Sequence, residues 1–262
     1  MMRALWTAST GMMAQQMNVD VISNNLANVN TTGFKKSRCD FQDLLYSTIK
    51  SAGTEIGGGQ EVPTGIQIGN GSKPISTQRI FTQGDLINTE NPYDLVIEGD
   101  GFFQILLPDG ETGYTKNGGM RIDSEGRMCT GDGYILQPEI TIPSTATEVS
   151  VGLDGTVSIV EEGVAEPQIV GNIELATFPN PAGLSSEGHS VYKETGASGS
   201  PVTGTPGEDG LGGLLQGFLE MSNVKVVEEM INLITGQRAY EINAKAITTA
   251  DDMLQVVNRL KS

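Results

Sequence analysis

The sequence predicts an α+β chain: a discontinuous coiled-coil domain of paired N- and C-terminal helices, an extended arm, and an inserted all-β body. Three observations predict it. Apolar residues recur at seven-residue intervals at both ends of the chain. The middle switches to short runs of period two, bounded by turns. The chain holds 34 glycines without collagen periodicity, which calls for many turns and short strands. The boundaries expected from these changes are 1–33 plus 222–262 for the helical domain, 34–65 for the arm and 66–221 for the β-body.

The N-terminal helix reads over residues 2–28. Leu5, Met12, Val19 and Leu26 recur at seven, with Ala8 and Ile22 between them. A second stripe runs through Trp6, Met13, Met17 and Val21, and two apolar stripes require burial on more than one side. Ala4, Ala8, Ser9, Gly11 and Ala14 are small enough for close helix approach. Asn24, Asn25, Asn28 and Asn30, then Thr31, Thr32 and Gly33, end the helix, with Gly33 suited to positive φ.

The next segment begins basic at Lys35, Lys36 and Arg38. It passes through Phe41, Leu44, Leu45, Tyr46 and Ile49, then reaches Gly57-Gly58-Gly59, Pro63 and Gly65. That composition predicts an extended arm, a plain linker being the blander reading.

The β-body is expected to hold strands near 94–97, 102–107, 134–137, 140–142, 149–151, 156–160, 169–170 and 173–178. Asp154-Gly155 has hairpin composition, and Ser185 to Gly213 reads as a long surface loop. A sandwich-like or irregular-barrel arrangement follows.

The C-terminal helix carries the clearest pattern. Val226, Leu233, Tyr240, Ile247 and Leu254 recur at seven, and Met230, Gln237, Ala244, Asp251 and Asn258 complete a 4-3 alternation. Arg238, Glu241, Lys245 and Asp252 lie off that stripe. Asn223 is the expected cap, and Glu228 and Glu229 suit the positive end of the helix dipole. A helix of roughly 50 Å needs packing partners along its length. Periodicity alone supports equally a core helix of a lone molecule and a half-buried face that contacts other chains.

The net charge of −16 argues against a nucleic-acid partner and disfavours an anionic membrane surface. No run of eighteen apolar residues predicts a membrane span, so no membrane insertion is expected. Residues 1–29 lack the apolar stretch of a cleavable signal, so export is expected to leave the N-terminus intact. Cys39 and Cys129 have no CxxC and no neighbouring His. Free thiols are expected, with a bridge left open by the sequence.

Catalytic chemistry finds no foothold. His189, in Glu187-Gly188-His189-Ser190, stands without a Gly-x-Ser-x-Gly elbow and reads as a surface histidine. Zinc would need more Cys and His than the chain has. Gly57–Gly59 and Gly210–Gly213 precede no Gly-Lys-Ser/Thr, and Asp132-Gly133 and Glu208-Asp209-Gly210 are not EF-hand loops. The expectation is no catalytic, cofactor or metal site, and no enzyme.

A family resemblance adds to this reading. Ser23-Asn24-Asn25-Leu26-Ala27-Asn28-Val29-Asn30-Thr31-Thr32-Gly33-Phe34-Lys35 resembles the N-terminal motif of bacterial flagellar rod and hook proteins. Gly101-Phe102-Phe103-Gln104, Tyr114-Thr115-Lys116-Asn117-Gly118, Glu220-Met221-Ser222-Asn223-Val224 and Gln237-Arg238-Ala239-Tyr240-Glu241-Ile242-Asn243 fall where that family has matching segments. Within the family, the length and the arm from Tyr46 through Ile49 and Pro63 to Gly65 are similar to members that build the distal rod.

The resemblance implies a self-assembling, straight, hollow helical shaft that carries torque and an export channel. The terminal helices would pair as an inner coiled coil, the arm would stiffen the tube, and the acidic body would face outward. The partners implied are further copies of the chain, the proximal rod and hook proteins, and a rod cap protein. The peptidoglycan-ring and outer-membrane-ring bushings and the flagellar type III export apparatus complete the set. The location implied is the basal body, across the periplasm. A hook or proximal rod protein is the alternative within the family. A secreted monomeric β-protein, adhesin or hydrolase, is the alternative outside it.

Overall fold

The computed structural model describes residues 2–53, 63–161, 166–208 and 210–261. The chain divides into two units: residues 1–27, 37–78 and 225–262 form one, and residues 28–36 and 79–224 form the other.

The first unit is built on two helices, α1 (Met2–Ala27) and α2 (Val226–Lys261). Long uninterrupted stretches without Pro explain both, and Glu228 and Glu229 place negative charge in the first turn of α2. Four strands accompany them: β1 (Ser37–Asp43), β2 (Ser47–Lys50), β3 (Ile66–Ile68) and β4 (Ser72–Arg79). β1 pairs with β4, and β2 pairs antiparallel with β3, Ser47 opposite Ile68 and Lys50 opposite Ile66. Thr10 of α1 lies against Gly71, where φ is +115° and an added Cβ would collide with the Thr10 hydroxyl.

The second unit is a β-structure. Its strands are β5 (Leu86–Asn88), β6 (Leu95–Glu98), β7 (Phe102–Leu106), β8 (Thr112–Thr115), β9 (Met120–Ile122), β10 (Met128–Thr130), β11 (Ile135–Gln137) and β12 (Ala146–Val151). They continue with β13 (Thr156–Glu161), β14 (Gln168–Asn172), β15 (Leu175–Thr177), β16 (Ser185–Gly188), β17 (Val191–Lys193), β18 (Val202–Gly204), β19 (Gly213–Gln216) and β20 (Phe218–Glu220). The largest sheet runs β16-β17-β8-β7-β11-β10-β9, with β15 joining β7 to β18. β12, β13 and β14 form a separate three-stranded sheet, and β6 pairs with β19 and β5 with β20.

β7 is the hub, because it is apolar on both faces. Phe103 joins Leu95, Ile97, Met120, Leu136, Ile140 and Leu175 in the main core. Phe102 points into an aromatic cluster with Tyr114, Phe178 and Tyr192. Tyr114 meets Phe178 edge-on at 4.7 Å, and Phe81 meets Phe102 edge-on at 5.3 Å, the arrangement that ring quadrupoles favour. The Asp154-Gly155 turn joins β12 to β13, Gly155 at φ +82°.

Four expectations from the sequence meet a different arrangement. The arm read over 34–65 contains β1 and β2, whose pairing partners β4 and β3 lie beyond residue 65. Composition gives no hint of this, since each strand is short and polar and is held by a distant partner. The Gly57–Gly59 run lies outside the described residues. The motif residues Asn28, Gly33 and Phe34 belong with the β-unit rather than the helices. The surface loop read over 185–213 holds β16, β17 and β18, with Val191 and Tyr192 buried; these strands run three or four residues between glycines and serines, which hides them. The 140–142 run makes one isolated bridge, Arg127 to Thr141, in place of a strand, though Ile140 and Ile142 are core residues.

Candidate subunit interface

The helical unit is held by a seam of small and polar residues. Asn25 of α1 donates to Glu229 of α2 at 3.3 Å. A Cβ on Gly236 would lie 3.3 Å from Val19 and within 4 Å of Gln15 and Asn18. A Cβ on Gly11 would lie 2.9 Å from the Asn243 amide. Ala4 and Ala250 line one groove. Glu229, Gly236, Asn243 and Ala250 step by seven up α2 while Asn25, Asn18, Gly11 and Ala4 step by seven down α1. The helices therefore run antiparallel.

Asn25 is 2 % exposed and does more than bridge the helices. Its amide donates to the Ser37 carbonyl at 2.8 Å and accepts from the Ser37 N–H at 2.9 Å, fixing the start of β1. A buried amide with both ends satisfied is a specific clamp, and this explains an asparagine at this point of the N-terminal motif.

On α1, Leu5, Met12, Val19 and Leu26 sit one residue after this seam; on α2, Met230, Gln237, Ala244 and Asp251 do, while Val226, Leu233, Tyr240 and Ile247 sit three before it, so the stripes are rotated from the seam by roughly 60–100°. Leu5, Met12, Val19 and Leu26 are half-buried. On α2, Leu233, Ile247, Leu254, Ala239 and Ala244 are half-buried, while Val226, Met230, Gln237, Tyr240 and Asp251 are exposed. The burial of Asn258 lies outside what is described. Close backbone approach selects Gly, Ala and Asn at the seam, so the apolar residues flank it. The signal for the true seam is present in the sequence as a second heptad, Gly11-Asn18-Asn25 and Glu229-Gly236-Asn243-Ala250, with little apolar character.

Beyond the seam the unit displays apolar surface. Trp6 and Met13 are largely exposed on α1, and Val227, Ile231, Ile234, Ile242, Met253 and Val256 are exposed along α2. Tyr46, Ile49, Ile66 and Ile68 at the β2–β3 pair are exposed too, as are Pro63 and Gly65 beside them. Arg238 pairs with Glu241 one turn on at 2.7 Å. Asn24 and Ala27 are exposed on α1. Asn223, expected to cap α2, instead accepts from the Lys36 N–H at 2.7 Å and donates to the Ile80 carbonyl at 2.9 Å, all within the β-unit.

That unit carries a buried charge cluster which sequence reading missed. The Lys35 ammonium meets Glu220 at 2.5 Å and donates to the Thr82 carbonyl at 2.9 Å, with both charged side chains essentially without solvent. Glu220 also accepts from the Gly84 N–H at 2.8 Å, and its carbonyl accepts from Gly33. Gly33 has φ +68° and lies so close to Asn117 that any side chain would strike its backbone. Phe34 is buried beneath the Arg79 guanidinium, 6.0 Å from its ring centre. Lys116 donates to the Gly99 carbonyl at 2.7 Å. Burial pulls its pKa down to about 8, opposed by Glu220 and assisted by Lys35.

His189 is exposed and lies 3.4 Å from Asp132, with no nucleophile in that pair. Cys39 and Cys129 are free and buried, and burial raises both thiols. Among the described residues no group of three His, Cys, Asp or Glu could hold a metal, and no helix is long and apolar enough to cross a membrane.

An under-cored helical unit with exposed apolar faces, joined to a well-cored acidic β-unit, defines a structural subunit. Comparison with known proteins gives the particular family. Residues 5–35 match the family described as "Flagella basal body rod protein", 96–159 match "Flagellar hook protein FlgE/F/G D1 domain" and 215–260 match "Flagellar basal body rod FlgEFG protein C-terminal". The chain is 51% identical over 263 residues to the flagellar basal-body rod protein FlgG of Borreliella burgdorferi, covering 100% of this chain and 99% of that one. It is 50% identical over 262 residues to the FlgG of Caulobacter vibrioides, covering both chains fully. It is 48% identical over 260 residues to that of Buchnera aphidicola, covering 99% and 100%. The chain belongs to the flagellar basal-body rod protein family; it is a structural protein, not an enzyme.

Proposed function

We propose that this chain is the repeating subunit of the distal rod of the flagellar basal body. It polymerises into a straight, rigid, hollow helical shaft that passes motor torque to the hook. The observation that carries the reading is the apolar surface of the helical unit, from Trp6 and Met13 on α1 to Val227, Ile231, Ile234 and Val256 on α2. Such surface costs free energy in water and is removed when copies pack together. Paired terminal helices then form an inner coiled-coil layer around the channel. The exposed β2–β3 pair, with Tyr46 and Ile49, packs between neighbours and stiffens the wall.

The acidic unit faces outward, toward the peptidoglycan-ring and outer-membrane-ring bushings, where like charge discourages sticking. Growth proceeds at the distal end beneath a cap protein, with subunits delivered through the channel by the flagellar type III apparatus. The shaft joins the proximal rod below and the hook above, and spans the periplasm.

Purified protein, concentrated and viewed by electron microscopy, tests this. Straight hollow rods are expected, with a gain of helical circular dichroism on assembly. A monomer at every concentration, with its full helix content already present, would refute the reading.

A further inference from the structure

The β-unit holds a groove of about 480 Å³, a size that suits a small ligand, and the polymer contacts proposed above do not use it. One wall is the chain from Asn88 to Tyr93, the other is the start of β12, and Gln216 lies between them. Gln216 braces both walls. Its amide nitrogen donates to the Pro92 carbonyl at 2.8 Å and to the Val149 carbonyl at 2.8 Å, and its oxygen accepts from the Val151 N–H at 3.1 Å. The groove is therefore formed before any ligand arrives.

Both walls depart from regular backbone. Glu90 has φ +57°, a left-handed conformation that is costly for a residue with a side chain. Asn88 holds it there, its side-chain oxygen accepting from the Glu90 N–H at 3.0 Å. On the other wall β12 is bulged. Ala146 faces Glu161 and Glu148 faces Val160, so Thr147 is the extra residue. A bulge re-aims the side chains around it. Two irregularities thus bring Glu90, Thr147 and Glu148 to one groove, and all three are exposed.

The lining selects the chemistry of the ligand. Among the described residues no Lys, Arg or His lines the groove, so an anion would meet only carboxylates. Glu90 and Glu148 only accept hydrogen bonds. Asn88 keeps its amide nitrogen to donate, and the Thr147 hydroxyl does either. A guanidinium or ammonium only donates, so it would leave the donors idle. A polyol serves both kinds, because each hydroxyl donates and accepts. The half-buried rings of Tyr93 and Phe218 add apolar faces about as wide as a sugar ring. We propose that this groove binds a neutral oligosaccharide, with hydrogen bonds to Glu90, Glu148, Asn88 and Thr147 and ring contacts on Tyr93 and Phe218.

The groove lies within the β-unit, so its test does not depend on polymerisation. Full-length protein, dilute enough to stay monomeric, is titrated with cellotetraose and with chitotetraose while backbone amide NMR shifts are followed. Saturable shifts at the groove are expected for at least one of them, half-complete below about 1 mM. Glu148→Gln is expected to weaken that binding at least tenfold. Glu90→Gly removes a carboxylate and also relieves the left-handed strain. It is expected to weaken binding at least tenfold while raising the melting temperature, a combination that a purely structural loop residue would not give. Failure of both sugars to saturate, or equal binding by both variants and the unsubstituted protein, would overturn the proposal. So would saturable shifts with argininamide and none with either sugar, which would make the groove a cation site.

Discussion

The β-unit buries Leu95, Phe103, Leu136, Ile173 and Leu175 completely, whereas among the described residues no large side chain of the helical unit is fully buried. Charge divides as unevenly. The helical unit has nine basic and ten acidic residues; the β-unit has seven and 22, so nearly the whole net charge of −16 sits on the second. One unit has enough core to stand alone and enough charge to stay apart from its neighbours. The other has neither, and its seam of Gly, Ala and Asn brings backbones together without covering the apolar flanks. Under the proposed function, the contrast means that burial and charge are sorted by role, with assembly assigned to the unit whose core is incomplete.

The sharpest way to break this comparison is to put a charge in the helical unit. Leu233→Asp or Ile247→Asp places a carboxylate on a half-buried apolar flank of α2. Polymer formation is expected to be lost outright, scored by sedimentation and by swimming of a strain that carries the change. The denaturation midpoint of the β-unit should not move. A normally swimming strain would remove the assembly role assigned to these positions.

The second expectation concerns the β-unit. Lys35→Met strands Glu220 in a site without solvent, which costs about 3–5 kcal/mol. Lys35→Met with Glu220→Leu should recover most of that loss, because a matched apolar pair replaces the ions. Urea denaturation of the unsubstituted protein and both variants checks it. A single change costing under about 1 kcal/mol would mean that the site is wet.

Much of this is legible in the sequence, and the rest is not for identifiable reasons. The helices at both ends and the β-rich middle follow from period and composition, as do the turn at Asp154-Gly155 and β7 at Phe102–Leu106. The seam lies to one side of the apolar stripes because apolar periodicity marks where apolar surface is needed. In this unit that is on the flanks, not at the line of closest approach. Asn25 is visible as a motif residue, but its clamp on Ser37 and Glu229 depends on a partner 204 positions away. Lys35 and Glu220 stand 185 positions apart, and no local pattern joins them.

A smaller effect follows from Lys116. Its folded pKa of about 8 lies below the ordinary lysine value of 10.5, because burial disfavours the charged form. Between these values the unfolded chain holds the proton and the folded chain does not. Stability therefore rises with pH across that window, by about 1.4 kcal/mol per unit and about 3 kcal/mol in all. The raised phenol of Tyr192 and raised thiol of Cys129 act the opposite way as they titrate. The difference between the unsubstituted protein and Lys116→Met isolates the lysine, and a flat difference from about pH 8 to 9.5 would show that the ammonium is solvated.

The finest distinction lies within the helical seam, between its two glycines. Alanine at either position gains up to about 1 kcal/mol of helix propensity. At Gly236 the new methyl would meet Val19 at 3.3 Å and Gln15 at 3.6 Å, contacts that a small side-chain shift accommodates. At Gly11 it would meet the Asn243 amide at 2.9 Å, so that side chain must swing aside. Gly236→Ala should therefore raise the helical melting temperature, and Gly11→Ala should leave it near its starting value. If Gly236→Ala lowered stability by more than about 1 kcal/mol, the backbones would be closer than the seam allows. The apolar flanks would then be covered within the single molecule, and the contrast between a finished and an unfinished unit would fail.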